Sequence, residues 1–299
     1  MSAAAFVVKC FEDYLRIIKD EIDSKYRYYR GQEKRISHGY KLESSIARYE
    51  FLKTKSLGEL IEIEKRALDT FSNHVIGHVN HIPRDEWEML SLAQHHGLPT
   101  RFMDWTTNPL VALYFATRVT KKNDDGVALD SAVYILIQEP QKYSALKSKQ
   151  GNQPAEKPSE QDTQATASGD PYSQYGLDTS EQDAVEDTLS DNDSADKKPE
   201  APQSIISPFE INANVIYDPP HVSPRIRAQD GVLLACFNPL KELEEKDYLE
   251  ILIEAKAHHE IRKRLELYGL FDKQLFPDLD GMAKWLKYRE FECNEKVTV

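Results

Sequence analysis

Gln94-His95-His96-Gly97-Leu98-Pro99-Thr100-Arg101-Phe102-Met103-Asp104-Trp105-Thr106-Thr107-Asn108-Pro109, running on into Leu110-Val111-Ala112-Leu113-Tyr114-Phe115-Ala116, holds the densest set of reactive and shape-setting side chains in the chain. Gly97 and Pro99 break helices, so the polar part of the stretch reads as an ordered loop. The helix that follows carries its own start signal: Asn108 is a good N-cap, Pro109 fits the first helical position, and an apolar run comes next. A loop held between two helices is a favourable place for a binding or catalytic site. Two readings stay open on residue types alone. Arg101, Asp104, Thr106 and Thr107 meet a ligand, or Arg101 and Asp104 form an ion pair that pins a structural loop under Trp105.

Upstream, Phe6 to Ile22 has helical apolar spacing, with Val7, Cys10, Phe11, Tyr14, Leu15, Ile17 and Ile18. Tyr26-Arg27-Tyr28-Tyr29-Arg30-Gly31-Gln32 reads as a strand, since aromatic residues favour the pleated conformation and Gly31 ends it. An arginine at a strand end points its guanidinium towards a loop face, which suits a phosphate or carboxylate; the alternative is an ordinary surface or ion-paired arginine. Leu42 to Lys53 and Ser56 to Val75 are predicted helices, the second opened by the capping box Ser56-Leu57-Gly58-Glu59. His74, His78 and His81 would share a helix face, but Gly77 and Pro83 interrupt it and no carboxylate or cysteine completes a ligand set, so no metal is predicted. Pro83 to His96 is a further helix that delivers His95 and His96 into the central stretch. His96 is a candidate general acid or base, because histidine as a residue type suits that work; the alternative is a helix-end histidine that caps carbonyls.

Downstream, Ser131 to Gln138 is a core strand. From about Gln141 to Gln203 the chain is rich in Ser, Gln, Asp, Glu, Lys, Pro and Ala and almost free of branched apolar residues, so it reads as a disordered insertion within one domain. Between Leu177 and Glu200 nine acids face two bases, which accounts for more than half of the net charge of −12. Order returns with strands at Asn214 to Tyr217, Gly231 to Phe237 and Tyr248 to Ile253. Between the first two lies a segment with Arg225, Arg227 and Gln229. Helices follow at Lys256 to Tyr268 and, after the turn Phe276 to Gly281, around Met282 to Tyr288.

A chain of 299 residues has ample core for one large domain. No apolar run is long enough to span a bilayer, and Met1 to Lys9 lacks the pattern of a secretory signal. Cys10, Cys236 and Cys293 are few and scattered, which suits reduced thiols and a cytoplasmic location; Cys236 sits in an apolar run and is expected in the core. The remainder of the chain is only mildly acidic, which gives no reason to expect duplex nucleic acid but allows a local basic pocket.

Tyr29-Arg30-Gly31-Gln32, the run His96 to Thr106, and Asn108-Pro109 to Ala116 together resemble the FRG domain family, named for an aromatic-Arg-Gly motif in which Tyr29 here stands for the phenylalanine. Arg225 to Leu233 and Leu275 to Gly281 look like later motifs of the same family. A looser resemblance links the chain to ADP-ribosyltransferases of the Arg-Ser-Glu type. It implies Arg30 on a phosphate or ribose of NAD, Thr106 and Thr107 in the Ser/Thr position, and Gln229 where a catalytic glutamate is usual. A glutamine hydrogen-bonds the ribose but lacks the charge that stabilises a ribosyl cation, which leaves Asp104 or Asp230 as the source of a carboxylate.

These resemblances imply a single α+β domain with a mixed, mostly antiparallel sheet flanked by helices, ADP-ribosyltransferase-like, with one long disordered insertion. The expected organisation is an N-terminal helix over 1–25, an FRG-like domain over 26–140 and 206–290, an acidic insertion over 141–205 and a tail over 291–299. The implied catalytic set is His96, Asp104 and Gln229; the implied nucleotide-binding set is Arg30, Gly31, Arg101, Thr106, Thr107 and Arg227. The expected ligand is a nucleotide or NAD, as the substrate of an ADP-ribosyltransferase or NAD glycohydrolase acting as a toxin or against phage. A protein or RNA target would be the acceptor, no membrane is involved, and the acidic insertion offers a surface for a partner. The alternative is a non-catalytic module that binds a nucleotide or phosphorylated ligand as a sensor or adaptor.

Overall fold

The computed structural model describes residues 6–22, 26–75, 77–79, 82–150, 205–220 and 224–292. In chain order these form strand β1 (Phe6–Val8), helix α1 (Phe11–Ile17), strand β2 (Tyr29–Gln32), helices α2 (Leu57–Val75) and α3 (Glu86–His95), strand β3 (Phe102–Thr106), helix α4 (Pro109–Thr117) and strand β4 (Ser131–Leu136). Next come strand β5 (Gln141–Lys142), helix α5 (Tyr143–Gln150), strand β6 (Val215–Tyr217), the short helix α6 (Pro224–Ala228), strands β7 (Gly231–Ala235) and β8 (Tyr248–Ile253), and helices α7 (His258–Leu267), α8 (Asp272–Leu275) and α9 (Leu279–Lys287). The strands join in one sheet in the order β1-β8-β4-β2-β3-β7-β6-β5. Its two outermost pairings, β1 with β8 and β5 with β6, are parallel and the rest antiparallel. The fold is α+β with a mixed, mostly antiparallel sheet, as expected, and strands from both sides of the long insertion alternate within it.

Side-chain alternation along the strands divides the core. On one face, Tyr29, Val133, Ile135, Ile251 and Ile253 pack under α1, α4 and α7. On the same face further along the sheet, Phe102, Val215, Tyr217, Leu233 and Ala235 pack under Leu68 of α2, Trp87 and Leu90 of α3, and Leu146 of α5. The opposite face, with Met103, Trp105, Tyr134, Ile216 and Leu234, is covered by irregular segments that bring in Leu42, Ile36 and Leu243. Two groups of helices on one face leave a trough between them, over parts of β2, β3 and β7.

Several local signals act as their chemistry dictates. Glu59 accepts from the Ser56 backbone N–H at 2.9 Å while the Ser56 hydroxyl accepts from Glu59 N–H at 3.3 Å, closing the capping box. Asn108 Oδ1 accepts from Leu110 N–H at 3.0 Å and Val111 N–H at 3.4 Å, and Asp278 Oδ1 accepts from Gly281 N–H at 2.7 Å to cap α9. Cys236 is buried, and burial pushes its thiol up to about 12.

Tertiary pairing overrides the local pattern at four places. Phe6 to Val8 is not helical: it pairs with Ile251 to Ile253, and the helix starts only at Phe11. Leu42 to Lys53 is not one helix but two 3₁₀ turns, Ile46–Arg48 and Glu50–Leu52. There the Ser44 hydroxyl donates to Pro239 O at 2.7 Å and the Ser45 hydroxyl to Thr100 O at 3.1 Å, so side-chain bonds to distant backbone replace the helical ladder. Residues 102–106 are not loop but strand, paired with β7 along its whole length. Residues 141–150, expected to open the insertion, form β5 and α5 instead. The rest of the expected insertion up to 204, His81 of the histidine series, and Cys293 lie outside the described residues. Among the described residues no helix is long and apolar enough to cross a membrane, and no cluster of three metal-ligating side chains occurs.

His258, fully buried at the start of α7, gives the fold a pH dependence. Its Nδ1 lies 3.0 Å from the Thr120 hydroxyl and its Nε2 2.9 Å from the Ser131 hydroxyl. Burial pushes its pKa down from the ordinary 6.5 to about 4. The folded state therefore binds fewer protons than the unfolded chain between these values, so stability present above pH 6.5 is lost as pH falls towards 4. The full loss is about 3 kcal/mol. Urea midpoints measured between pH 7 and pH 4.5 should fall less steeply for His258→Gln than for the parent; equal slopes would show that His258 does not carry the effect.

Candidate functional site

The trough is a cleft of about 340 Å3, a size at the lower end of small-molecule sites. Asp104 and Thr106 of β3, Gly31 of β2 and Leu233 of β7 form part of its floor; Ser91, Gln94 and His95 of α3 form one wall, and Phe115 of α4 with Arg118 just beyond it forms the other. Arg225 and Gln229, in and just after α6, close one end. The floor is split. β2 and β3 share a single register pair, Tyr29 with Thr106, and part beyond it. Arg30 lies in this split, its Nη1 donating to the backbone carbonyl of Asp104. Its Nε and the Trp105 Nε1 are buried donors with no hydrogen-bond partner among the described residues.

The electrostatics of the cleft are those of an anion site with one carboxylate. Burial lowers the pKa of both Arg30 and Arg225, and Asp104 opposes the shift in each case. Both stay charged, since arginine titrates far above neutral pH. Asp104 is exposed to the cleft and held from the side by Gln94 Nε2, 3.3 Å from each carboxylate oxygen. His95 has its pKa lowered by burial and then by Arg225 and His96, against the pull of Asp104. At neutral pH its imidazole is therefore neutral and able to accept a proton.

Of the residues singled out from sequence, Arg30, Gly31, Asp104, Thr106 and Gln229 line the cleft. Arg101 does not. Its side chain is fully buried away from the cleft, where Nη2 and Nε donate to Glu64 at 2.6 and 3.3 Å and Nη1 donates to Pro208 O at 2.9 Å. The alternative reading, an Arg101–Asp104 ion pair, does not hold either. The strand places Phe102, Asp104 and Thr106 on one face, and Arg101 finds its carboxylate on α2. His96, exposed at the end of α3, is turned away, and its neighbour His95 takes the cleft position. Thr107 and Arg227 are exposed and outside the cleft lining.

Three cleft residues have structural duties. The Thr106 hydroxyl donates to Gln229 O at 2.7 Å and accepts from Asn108 N–H at 3.0 Å. Gln229 Nε2 donates to Leu275 O at 2.9 Å, which commits its amide to α8. Gly31 sits directly under the α4 backbone. Asp230, the other carboxylate considered, adopts a left-handed conformation with φ 45° and accepts from Asn108 Nδ2 at 3.1 Å, clamping the turn before β7 onto the start of α4. It does not line the cleft.

His95, Arg118, Gln94 and Ser91 are not marked out as site residues by sequence. Spacing carries part of the missing signal: Ser91 and His95 stand four apart on α3, as Arg225 and Gln229 do across α6, which sets each pair on one side.

The family model described as FRG domain matches residues 25–125. The chain carries an FRG domain. Comparison with curated proteins and with solved structures gives no match. The FRG match covers β2, α2, α3, β3 and α4, and thus both long walls of the cleft and the split strand pair. It stops before the segments Arg225 to Leu233 and Leu275 to Gly281, whose likeness to later motifs of the family rests on resemblance alone. The FRG segment by itself lacks β7, the strand that pairs with β3 and completes the cleft floor.

Proposed function

We propose that the cleft binds a nucleotide through its arginines, with NAD as the substrate of a glycohydrolase or ADP-ribosyltransferase. The observation that carries this reading is the arrangement of Arg30, Arg118 and Arg225 around Asp104 in one cleft. Guanidinium groups are the side chains best matched to phosphate oxygens, and the two buried donors without partners, Arg30 Nε and Trp105 Nε1, suit an acceptor oxygen at the split. The cleft has room for one nucleotide unit, with the second half of a dinucleotide over the rim. In this reaction the bond between ribose C1′ and the nicotinamide nitrogen breaks, its electrons leave with nicotinamide, and water or a nucleophile on a target bonds to C1′ and gives up a proton. Asp104 supplies the negative charge that steadies the developing cation, in place of Gln229, whose amide is engaged elsewhere. His95 accepts the proton. Loss of cellular NAD would account for the toxin or phage-defence role that the family resemblance implies.

The test is nicotinamide release from NAD by the purified protein, alone and with cell extract. The parent should release it; Asp104→Asn should lower the rate about 100-fold or more with little change in thermal stability, because Asp104 is exposed. Binding of NAD by calorimetry without release would favour the second reading, a sensor or adaptor that holds a nucleotide without turnover, which the engaged amide of Gln229 supports. Neither binding nor release would remove both.

A further inference from the structure

A second pocket, of about 320 Å3, lies behind α4, between that helix, α7 and α9. Its chemistry is distinct from that of the cleft. Arg118, Arg262, Lys284 and Lys287 supply the positive charge; Glu266, Asp272 and Glu292 the negative. Most of these are matched locally. Arg118 Nε donates to Glu33 at 2.8 Å, Lys287 pairs with Glu292 at 3.0 Å, and Glu266 accepts from Trp285 Nε1 at 3.0 Å. Arg262 and Lys284 form no ion pair among the described residues, and two carboxylates balance their charge: Asp272 and Glu266, the latter bonded to a neutral indole.

Two buried donors, rather than net charge, mark the pocket as a place for an acceptor oxygen. Tyr114, which is only 3% exposed, has a hydroxyl with no well-formed hydrogen bond among the described residues, and Arg262 Nε is likewise a buried donor without an acceptor. Burial and then the nearby Asp272 carboxylate raise the Tyr114 pKa, so the hydroxyl keeps its proton and remains a donor at neutral pH. Arg262 Nη1 donates to Arg118 O at 3.1 Å and its guanidinium lies over the Tyr288 ring, so the side chain is held in place rather than left to swing into solvent. Buried donors left unmatched are costly, and an acceptor oxygen placed among them removes that cost. Leu270 and Phe271 give the pocket an apolar wall.

We propose that this pocket is a second ligand site, for a small organic anion whose acid group meets Arg262, Lys284 and the Tyr114 hydroxyl and whose apolar body lies against Leu270 and Phe271. The site shares only Arg118 with the nucleotide cleft and does not depend on the function proposed for it. A fixed guanidinium, an ammonium and a hydroxyl form a receptor for a carboxylate or a phosphate monoester, with the pocket volume limiting the body to about one ring.

The probes are benzoate and phenyl phosphate, titrated into the full-length protein by calorimetry, with Trp285 fluorescence as a second readout because its indole borders the pocket. At least one probe should bind saturably, with a dissociation constant below about 10 mM, and change the Trp285 signal. Lys284→Gln, at an exposed position, should weaken binding about tenfold without loss of folding; Tyr114→Phe, which preserves the ring packing, should also weaken it. Asp104→Asn in the cleft should leave binding unchanged. Absence of binding by both probes overturns the proposal, as does binding that survives both pocket substitutions or is lost in Asp104→Asn. A negative result with NAD at the cleft leaves these outcomes unaffected, so the two readings fail separately.

Discussion

Replacing Arg101 by alanine is expected to destabilise the fold by about 3–5 kcal/mol, among the largest single-residue effects in this chain. The guanidinium and the Glu64 carboxylate are each 1% exposed and joined at 2.6 Å. Burial raises the Glu64 pKa even though the Arg101 charge and hydrogen bonds oppose that shift, so the carboxylate depends on its partner to stay ionised. Remove the arginine and Glu64 is left charged without compensation, or protonated at a cost, while Pro208 O loses its donor. Phe209, whose ring lies 4.7 Å below the guanidinium, loses a packing partner too. Lysine should not rescue, because three groups, two carboxylate oxygens and one carbonyl, are met by the planar fork of a single guanidinium. The double change Arg101→Met with Glu64→Leu should recover much of the loss, since an apolar pair of similar volume removes both desolvation costs. Urea denaturation decides the matter: a loss below about 1 kcal/mol for Arg101→Ala would contradict the buried pair. If that variant instead kept its stability and lost nucleotide binding, the side chain would belong to the cleft after all.

The same residue shows how far the sequence can be read. The central stretch stands out by its residue types, and its helix start at Asn108 and Pro109 is fully legible because capping is local chemistry. What residue types do not reveal is that residues 102–106 are a strand, since the partner that makes them one, β7, lies far downstream. Once the stretch is a strand, alternation separates Arg101 from Asp104 and sends only the latter into the cleft. One clue is present. Glu64 occupies the buried stripe Leu60, Glu64, Leu68 on α2, and a carboxylate in an apolar stripe calls for a buried cation. The choice of His95 over His96 has a similar origin, because one residue along a helix turns the side chain by about 100°. Arg30 is legible as a strand-end arginine, but its placement in the gap between β2 and β3 depends on where those strands part, which no local pattern encodes.

The second large effect is expected at Gly31, where alanine should cost about 3 kcal/mol or more and disturb the cleft as well. A Cβ at this position would stand 1.9 Å from Ala112 O and 2.7 Å from Ala116 N. Both atoms are backbone of α4, so neither a change of rotamer nor a smaller side chain at 112 or 116 relieves the clash; the helix itself must move. The backbone at Gly31 is not in a left-handed conformation, so the requirement is for space alone. α4 is poorly placed to move. It is buried on nearly every side, capped by Asn108, and tied through the Tyr14 hydroxyl, which donates to Pro109 O at 2.7 Å. Any outward shift carries Phe115 and Arg118 away from the opposite wall of the cleft and strains the β2–β4 pairing at Gly31 and Val133. Gly58, near the start of α2, is the matched control, because a Cβ there would have nothing within 4 Å; alanine at that position should be neutral or stabilising by up to about 1 kcal/mol. Thermal denaturation of the two variants side by side separates a requirement for space from a general effect of losing a glycine. Equal behaviour of the two would mean that α4 does not lie as close to β2 as the structure places it, and the glycine of the aromatic-Arg-Gly motif would then need another explanation, one based on ligand contact rather than helix packing.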